Sequence, residues 1–229
     1  MNISLSRPLT SYSKIQNIIS RLIRGNSFQV KKVLKNWKEY LNVGCGSNVR
    51  PDYINLDISW RPGVNLCWDI TKGIPLSNGS VKGIYSEHCL EHISYWASIN
   101  VLKEFYRILN PCGVLRLVVP DAGLYLELYQ RSKQGEKVEF PYVDKEGIAD
   151  KEKDSLVQFT PMMAVNRIFR GYGHLFAYDF ETIESMLKYA GFKRVVRTSY
   201  RKGYDQKLLI DSDIRKPQSL YLEAFKQIV

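Results

Sequence analysis

The stretch Leu41-Asn42-Val43-Gly44-Cys45-Gly46, followed by Asn55-Leu56-Asp57, constrains the fold more than any other part of the chain. An apolar run that ends in Gly-x-Gly reads as a strand leading into a tight turn. The two glycines allow backbone conformations and close approaches that a side chain would block. The second run ends on Asp57, a carboxylate at the carboxyl end of a strand, where an open α/β sheet presents acceptors to ribose hydroxyls. The combination predicts a nucleoside pocket. It is not the dinucleotide fingerprint: Asn48 and Val49 stand where a third glycine is needed, and the acidic residue arrives early.

Further punctuated segments follow in order. They are Trp68-Asp69-Ile70, then Ile74 to Val81 with its central Pro75 and Gly79, the strand-like Ile84-Tyr85-Ser86-Glu87, and His88-Cys89-Leu90-Glu91-His92. Leu102 to Gly113 then leads into Val114-Leu115-Arg116-Leu117-Val118-Val119-Pro120-Asp121. This series resembles the motifs of class I S-adenosylmethionine-dependent methyltransferases over about residues 39 to 225. Among these it is most similar to small bacterial and viral methyltransferases of glycan-synthesis clusters, through Ser86-Glu87-His88-Cys89-Leu90-Glu91-His92 and the ending Ser219-Leu220-Tyr221-Leu222-Glu223-Ala224.

The resemblance implies an α/β fold: a Rossmann-like, mostly parallel sheet with an antiparallel C-terminal hairpin. It also implies S-adenosylmethionine as cofactor. Gly44 and Gly46 would meet its methionine and ribose end, Asp57 the ribose hydroxyls, Asp69 and the Ile70 backbone the adenine, and Glu87 the neighbourhood of the sulfonium. The chain departs from the pattern twice: Asn42 replaces a common acidic residue, and Gly83 replaces an aspartate often found just before the core of the fourth strand.

A chain of 229 residues builds one full core and not two large ones. The four cysteines form no C-x-x-C pair, which fits a reduced compartment. Net charge is +10, but residues 1–38 hold eight basic residues and no acidic one. The remainder is nearly neutral, so no nucleic-acid surface spread over the body is expected. No apolar run is long enough to span a bilayer, which predicts a cytoplasmic protein.

Within residues 1–38, Ile15, Ile18, Ile19, Leu22 and Ile23 share a helical face that Gly25 ends, and Val30, Val33, Leu34 and Trp37 repeat the pattern. The prediction is a basic helical N-terminal extension. It either packs as a lid on the domain formed by residues 39–229 or makes a peripheral contact with an anionic membrane. In either case removal of residues 1–25 is expected to leave cofactor binding largely intact. The links between the first strands are too short for crossover helices, so the early helices should be reduced to turns. The third strand is placed around Asn65 to Trp68. Trp96 to Leu109 and Phe180 to Ala190 read as helices, with Asp179 capping the second and Gly191 ending it. Phe192 to Tyr200 and Ser219 to Lys226 read as the last strands. Residues 122–175 break the sheet repeat, carry charge around Lys145 to Asp154 and apolar bulk at Met162, Met163, Phe169 and Tyr172, and are expected to be an acceptor lid.

The chain has three histidines, His88, His92 and His174, all in segments assigned to the active face. Methyl transfer to a hydroxyl needs an in-line arrangement and a base for the departing proton. His88 is the first candidate, with Asp121 and His174 as alternatives. A second reading starts from the i, i+3, i+4 spacing of His88, Glu91 and His92, which would share one face of a helix. With His174 as fourth ligand they could hold a divalent metal. That arrangement resembles the E-x-x-E-H site of metal-dependent small-RNA 2′-O-methyltransferases and ubiquinone-pathway O-methyltransferases, and imidazole would favour a transition metal. The favoured expectation carries no metal.

The favoured function is O-methylation of a sugar hydroxyl in a surface glycan or its precursor, the saccharide resting on the resemblance alone. Alternatives are a lipid-linked or quinone-like acceptor at a membrane surface, and a noncatalytic cofactor-binding partner subunit.

Overall fold

The computed structural model describes residues 14–141 and 160–227. Seven strands form one sheet: β1 Tyr40–Val43, β2 Tyr53–Asp57, β3 Leu66–Cys67, β4 Val81–Glu87, β5 Leu109–Pro120, β6 Arg194–Arg197 and β7 Ser219–Phe225. Their order across the sheet is β3-β2-β1-β4-β5-β7-β6. The first five run parallel, and β7 runs antiparallel to both β5 and β6. This is the expected Rossmann-like sheet with an antiparallel C-terminal hairpin. β6 is shorter than the expected run from Phe192 to Tyr200. β5 begins earlier than expected, at Leu109. Val81 pairs with Leu109 and Gly83 with Val114, so Asn110 to Gly113 bulge out of register.

The helices are α1 Lys14–Ile23, α2 Ser27–Lys35, α3 Tyr95–Ile108, α4 Ala122–Lys133, α5 Pro161–Arg170 and α6 Phe180–Ala190. α6 begins where Asp179 accepts from the Thr182 amide and ends at left-handed Gly191. As expected from the short links, only turns and a 3-10 turn at Ile70–Lys72 connect β1, β2, β3 and β4.

One face of the sheet packs against α3 and α6, with Ile84, Leu115 and Leu117 meeting Ile99, Leu102, Phe105, Ile183 and Leu187 in the main core. Among the described residues the opposite face has no crossover helix, and the connection from β6 to β7 covers it instead. That connection crosses back over the sheet: Tyr40 donates to Asp205 (2.8 Å), Tyr53 to the Lys207 carbonyl, and Arg50 to the Ile210 carbonyl (3.4 Å). Leu208 completes a second cluster with Tyr53, Tyr85, Val118, Tyr221 and Phe225. Gly83 is explained here, because a Cβ would lie 2.7 Å from the Tyr40 ring and 3.1 Å from Leu208.

Arg116 points into this second face from the middle of β5 and is fully buried. It donates to both carboxylate oxygens of Asp211 (2.7 and 2.5 Å), to Glu223 (3.3 Å), and to the carbonyls of Lys202 and Ser199.

α1 and α2 lie against the β3 edge. Gly25 donates to the Cys67 carbonyl (3.1 Å), Gln29 accepts from the Cys67 amide (2.6 Å), and Val33 enters the main core. The edge strand is thereby covered, which removes an unpaired ladder from solvent.

Candidate active site

The glycine turn is fastened from three sides. The Gly44 and Cys45 amides both donate to the Leu56 carbonyl (2.8 and 3.2 Å). Buried Asn42 donates to the Asn48 carbonyl (2.8 Å) and to Asn55 (3.2 Å), and Asn55 accepts from the Arg50 amide (3.0 Å). A carboxylate at position 42 has no proton for the Asn48 carbonyl, which explains why an amide stands there. Asp57 accepts from the Gly46 amide (2.9 Å) on one oxygen and from the Ser59 amide (2.8 Å) on the other. Burial pushes its carboxyl pKa up, while these two bonds and Arg24 oppose the rise.

Both glycines are left-handed, at φ 65° and 51°, but their surroundings differ. A Cβ on Gly44 would lie 2.5 Å from Cys89 Sγ, so this glycine makes room for the protein itself. A Cβ on Gly46 would meet nothing nearer than the Gly44 carbonyl at 3.9 Å. The open side of Gly46, next to a carboxylate with lone pairs to spare, fits a ribose.

Asp69 accepts from the Thr71 amide (3.1 Å) and hydroxyl (2.6 Å), capping the turn in which Ile70 is buried. Glu87, at the end of β4, accepts from the Ser212 amide (3.0 Å), and burial pushes its carboxyl pKa up. Asp121 follows β5, where its carboxylate caps α4 by accepting from the Leu124 amide (3.1 Å) and pairs with Arg197 (3.0 Å).

The chain turns sharply after β4. His88 is left-handed, φ 48°, which is uncommon for a residue with a side chain, and its amide donates to the Val118 carbonyl (2.9 Å). A 3-10 turn, Leu90–His92, follows. The segment is therefore not the α-helix on which the i, i+3, i+4 reading was based. The turn nonetheless folds Glu91 inward, and His88 Nδ1 and His92 Nε2 come within 3.5 and 3.8 Å of its Oε1. His174 arrives from the far end of the 122–175 segment, its Nε2 4.0 Å from the same oxygen. The amides of Leu175 and Phe176 donate to the Glu91 carbonyl (2.7 and 3.3 Å) and fix that approach. Burial, then Arg215 and the other two imidazoles, hold the His88 pKa down to about 2, so its ring is neutral. The structure thus joins His88, Glu91, His92 and His174 in one cluster, and Cys89 packs that cluster directly against Gly44.

Within the 122–175 segment, α4 and α5 pack through Tyr125, Ala164 and Ile168. Tyr172 is exposed, stacks under Arg167, and stands 5.8 Å from the His174 ring. The charged run from Lys145 to Asp154, and Ile15 within α1, fall outside what the structure describes of the chain's side chains.

No protein-family model matches the chain, and no curated protein matches it in sequence. Solved structures similar to it include an S-adenosylmethionine-dependent methyltransferase of Thermotoga maritima (16% identity, covering 93% of this chain and 100% of that one, TM-score 0.49). Another comes from Archaeoglobus fulgidus (15% identity, 91% and 93% covered, TM-score 0.46). A third is phosphoethanolamine N-methyltransferase 2 of Haemonchus contortus in complex with S-adenosyl-L-methionine (12% identity, 89% and 53% covered, TM-score 0.48).

Sequence reasoning did not single out Ser219, whose hydroxyl lies 2.8 Å from His88 Nε2, or the pair of Arg116 and Asp211. Arg116 carried a signal, since it is a charge inside an otherwise apolar strand. Ser219 entered only as the first residue of the C-terminal motif, and the antiparallel pairing of β7 with β5 is what brings it to the end of β4.

Proposed function

We propose that the chain is an S-adenosylmethionine-dependent O-methyltransferase acting on a sugar hydroxyl of a surface glycan or its precursor. The observation that carries this reading is the contact of Cys89 with Gly44, which sets a ribose-type cradle beside a cluster of imidazoles and a carboxylate. Gly46, Asp57, Asp69, Ile70 and Glu87 would hold the cofactor, which when bound supplies an electrophilic methyl on a sulfonium. Such a transfer needs the acceptor oxygen held in line and its proton removed as the new bond forms. Within this proposal the cluster of His88 and His174 with His92 and Glu91 holds the acceptor hydroxyl and takes its proton. Asp121 acts by fixing the start of α4 and the Arg197 side chain beside it. The 122–175 segment brings in the acceptor, and the exposed ring of Tyr172 gives an aromatic face with a polar tip beside His174. The saccharide itself is supported by the likeness of the motif series to glycan-cluster methyltransferases.

The test is incubation of the full chain with the cofactor and a panel of hexose and deoxysugar glycosides, read as the mass gain of one methyl. Methylation of a protein, a nucleic acid or a quinone with no glycan product would replace the saccharide. Cofactor binding without any turnover would favour a noncatalytic partner subunit.

One observation favours a second acceptor class. Ile18, Leu22, Phe28 and Leu34 are exposed on α1 and α2, interspersed with Arg21, Lys31, Lys32 and Lys35. A surface of that composition suits anionic lipid, and a lipid-linked acceptor would then be met at the membrane. No helix among the described residues is long and apolar enough to cross a bilayer.

A further inference from the structure

Arg215 spans the turn that follows β4 and is tied to it at both ends. Its carbonyl accepts from the Ser219 hydroxyl (2.7 Å), whose oxygen lies 2.8 Å from His88 Nε2. Its guanidinium reaches the Glu87 carbonyl (3.5 Å), one residue before His88. The residue is half-buried, and it forms no ion pair among the described residues. Arginines around it do. Arg116 meets Asp211 (2.5 Å) and Glu223 (3.3 Å), Arg197 meets Asp121 (3.0 Å), and Arg201 meets Asp213 (3.5 Å). The Glu87 carboxylate takes the Ser212 amide (3.0 Å) instead of the guanidinium beside its own carbonyl. Burial pushes the Glu87 pKa up, against the Ser212 bond and the more distant charge of Arg215. The carboxylates of Asp121, Asp211, Asp213 and Glu223 are thus committed to other cations, and Arg215 faces the end of β4 with its charge unmatched.

A guanidinium cannot give up its proton, so when part of its water is removed it needs a carboxylate or a phosphate, whose geometry its planar fork matches. We infer that the acceptor carries an anionic group, a carboxylate or a phosphate, which Arg215 holds while the hydroxyl to be methylated stands at His88. This rests on the saccharide reading above and narrows it to acidic sugars and sugar phosphates. Glu87 and His88 are adjacent in the chain, so the anion and the hydroxyl belong to the same sugar or to neighbouring ones. A neutral sugar would strip water from the guanidinium and return no partner, and a site that loses such a pairing discriminates strongly against the analogue that lacks the group. Lys216, next in the chain, is exposed and lies over the Tyr200 ring (5.1 Å), so of the two cations Arg215 is the one at the active face. Arg215 is in this sense a specificity residue: it selects the acceptor by charge, and the imidazole cluster deals with the hydroxyl.

The experiment supplies the full chain and S-adenosylmethionine with each hexose in three forms: the neutral methyl glycoside, the corresponding uronic acid glycoside and the sugar 1-phosphate. The expected result is a kcat/KM about 10- to 100-fold higher for a charged form than for the neutral one, the scale of hydrogen bonds to a charged group. Whether the uronic acid or the phosphate gains tells which anion the site takes. Arg215→Gln should remove the preference by raising KM for the charged form, Arg215→Lys should keep part of it, and Lys216→Gln should keep all of it. Calorimetry with S-adenosylmethionine on each variant shows that the fold and the glycine turn are intact. Equal kcat/KM for neutral and charged forms overturns the proposal, as does a charge preference that survives Arg215→Gln. If no sugar is methylated, the saccharide reading falls and the anion site is judged by binding alone. Protein saturated with S-adenosylhomocysteine is then titrated with inorganic phosphate and with pyrophosphate. Saturable binding that Arg215→Gln abolishes leaves the anion site standing, and no binding at millimolar concentration overturns it as well.

Discussion

Gly44 and Gly46 share a backbone region but should fail differently when given a methyl group. Gly46→Ala pays about 1–2 kcal/mol for left-handed backbone, and its Cβ enters the open cradle, so cofactor affinity should fall more than stability. Gly44→Ala adds a 2.5 Å contact with Cys89 to the same backbone cost, so its urea midpoint should drop further than that of Gly46→Ala. Asp57→Asn should weaken S-adenosylmethionine binding by about 1–3 kcal/mol in calorimetry, the scale of charge-assisted bonds to ribose hydroxyls. Unchanged affinity in Asp57→Asn would take the ribose away from this carboxylate. At this scale the sequence was legible where a residue type serves one purpose: a glycine in a turn, or a carboxylate at a strand end. It did not foresee that the side of Gly44 where a Cβ would stand is filled by Cys89, a contact that no spacing rule contains.

Among the elements, α1 and α2 behave as part of the sheet edge rather than as a detachable lid. Ser20 accepts from the Trp60 amide (2.8 Å) and Arg24 donates to the Ile58 carbonyl (2.9 Å), so α1 braces the loop that follows Asp57. Removal of residues 1–25 separates this bracing role from a lid or membrane contact alone, for which cofactor binding is expected to stay largely intact. Their removal should weaken cofactor binding measurably, and Gln29→Ala should cost about 1 kcal/mol of stability by releasing the Cys67 amide. If the exposed apolar and basic residues of these helices meet anionic lipid, sedimentation with phosphatidylserine vesicles should occur at low salt, weaken at high salt, and disappear in Leu22→Glu with Phe28→Glu. Absence of low-salt binding would leave edge cover as their whole role. The long, strongly patterned helices α3 and α6 were legible from their period, and α6 also from its caps at Asp179 and Gly191. The turn at His88 was not, because nothing in the residue type announces a left-handed histidine.

For the whole molecule, the covering of the second sheet face depends on Arg116. Replacing it with methionine leaves the Asp211 and Glu223 carboxylates buried without their cation, and breaking such a group typically costs about 3–5 kcal/mol. Chemical denaturation of Arg116→Met should show a loss of that size, with the antiparallel edge and the connection before β7 losing protection from hydrogen exchange first. The sheet order followed from motif order, but the coverage of its second face did not. Short links told where helices were missing, and no local pattern told which distant segment would take their place.

That substitution of a late segment for early helices sets the order in which the protein can be made. Tyr40 and Tyr53 wait for partners 165 and 154 positions further along the chain. While the ribosome is still synthesising α6, one side of β1, β2 and β4 has nothing to cover it. Long-range closure of this kind slows folding, and the uncovered strands are prone to aggregate in the meantime. A nascent chain stalled after Arg197 should therefore be chaperone-bound and protease-sensitive, and a chain extended and released beyond β7 should convert to the resistant form in one step.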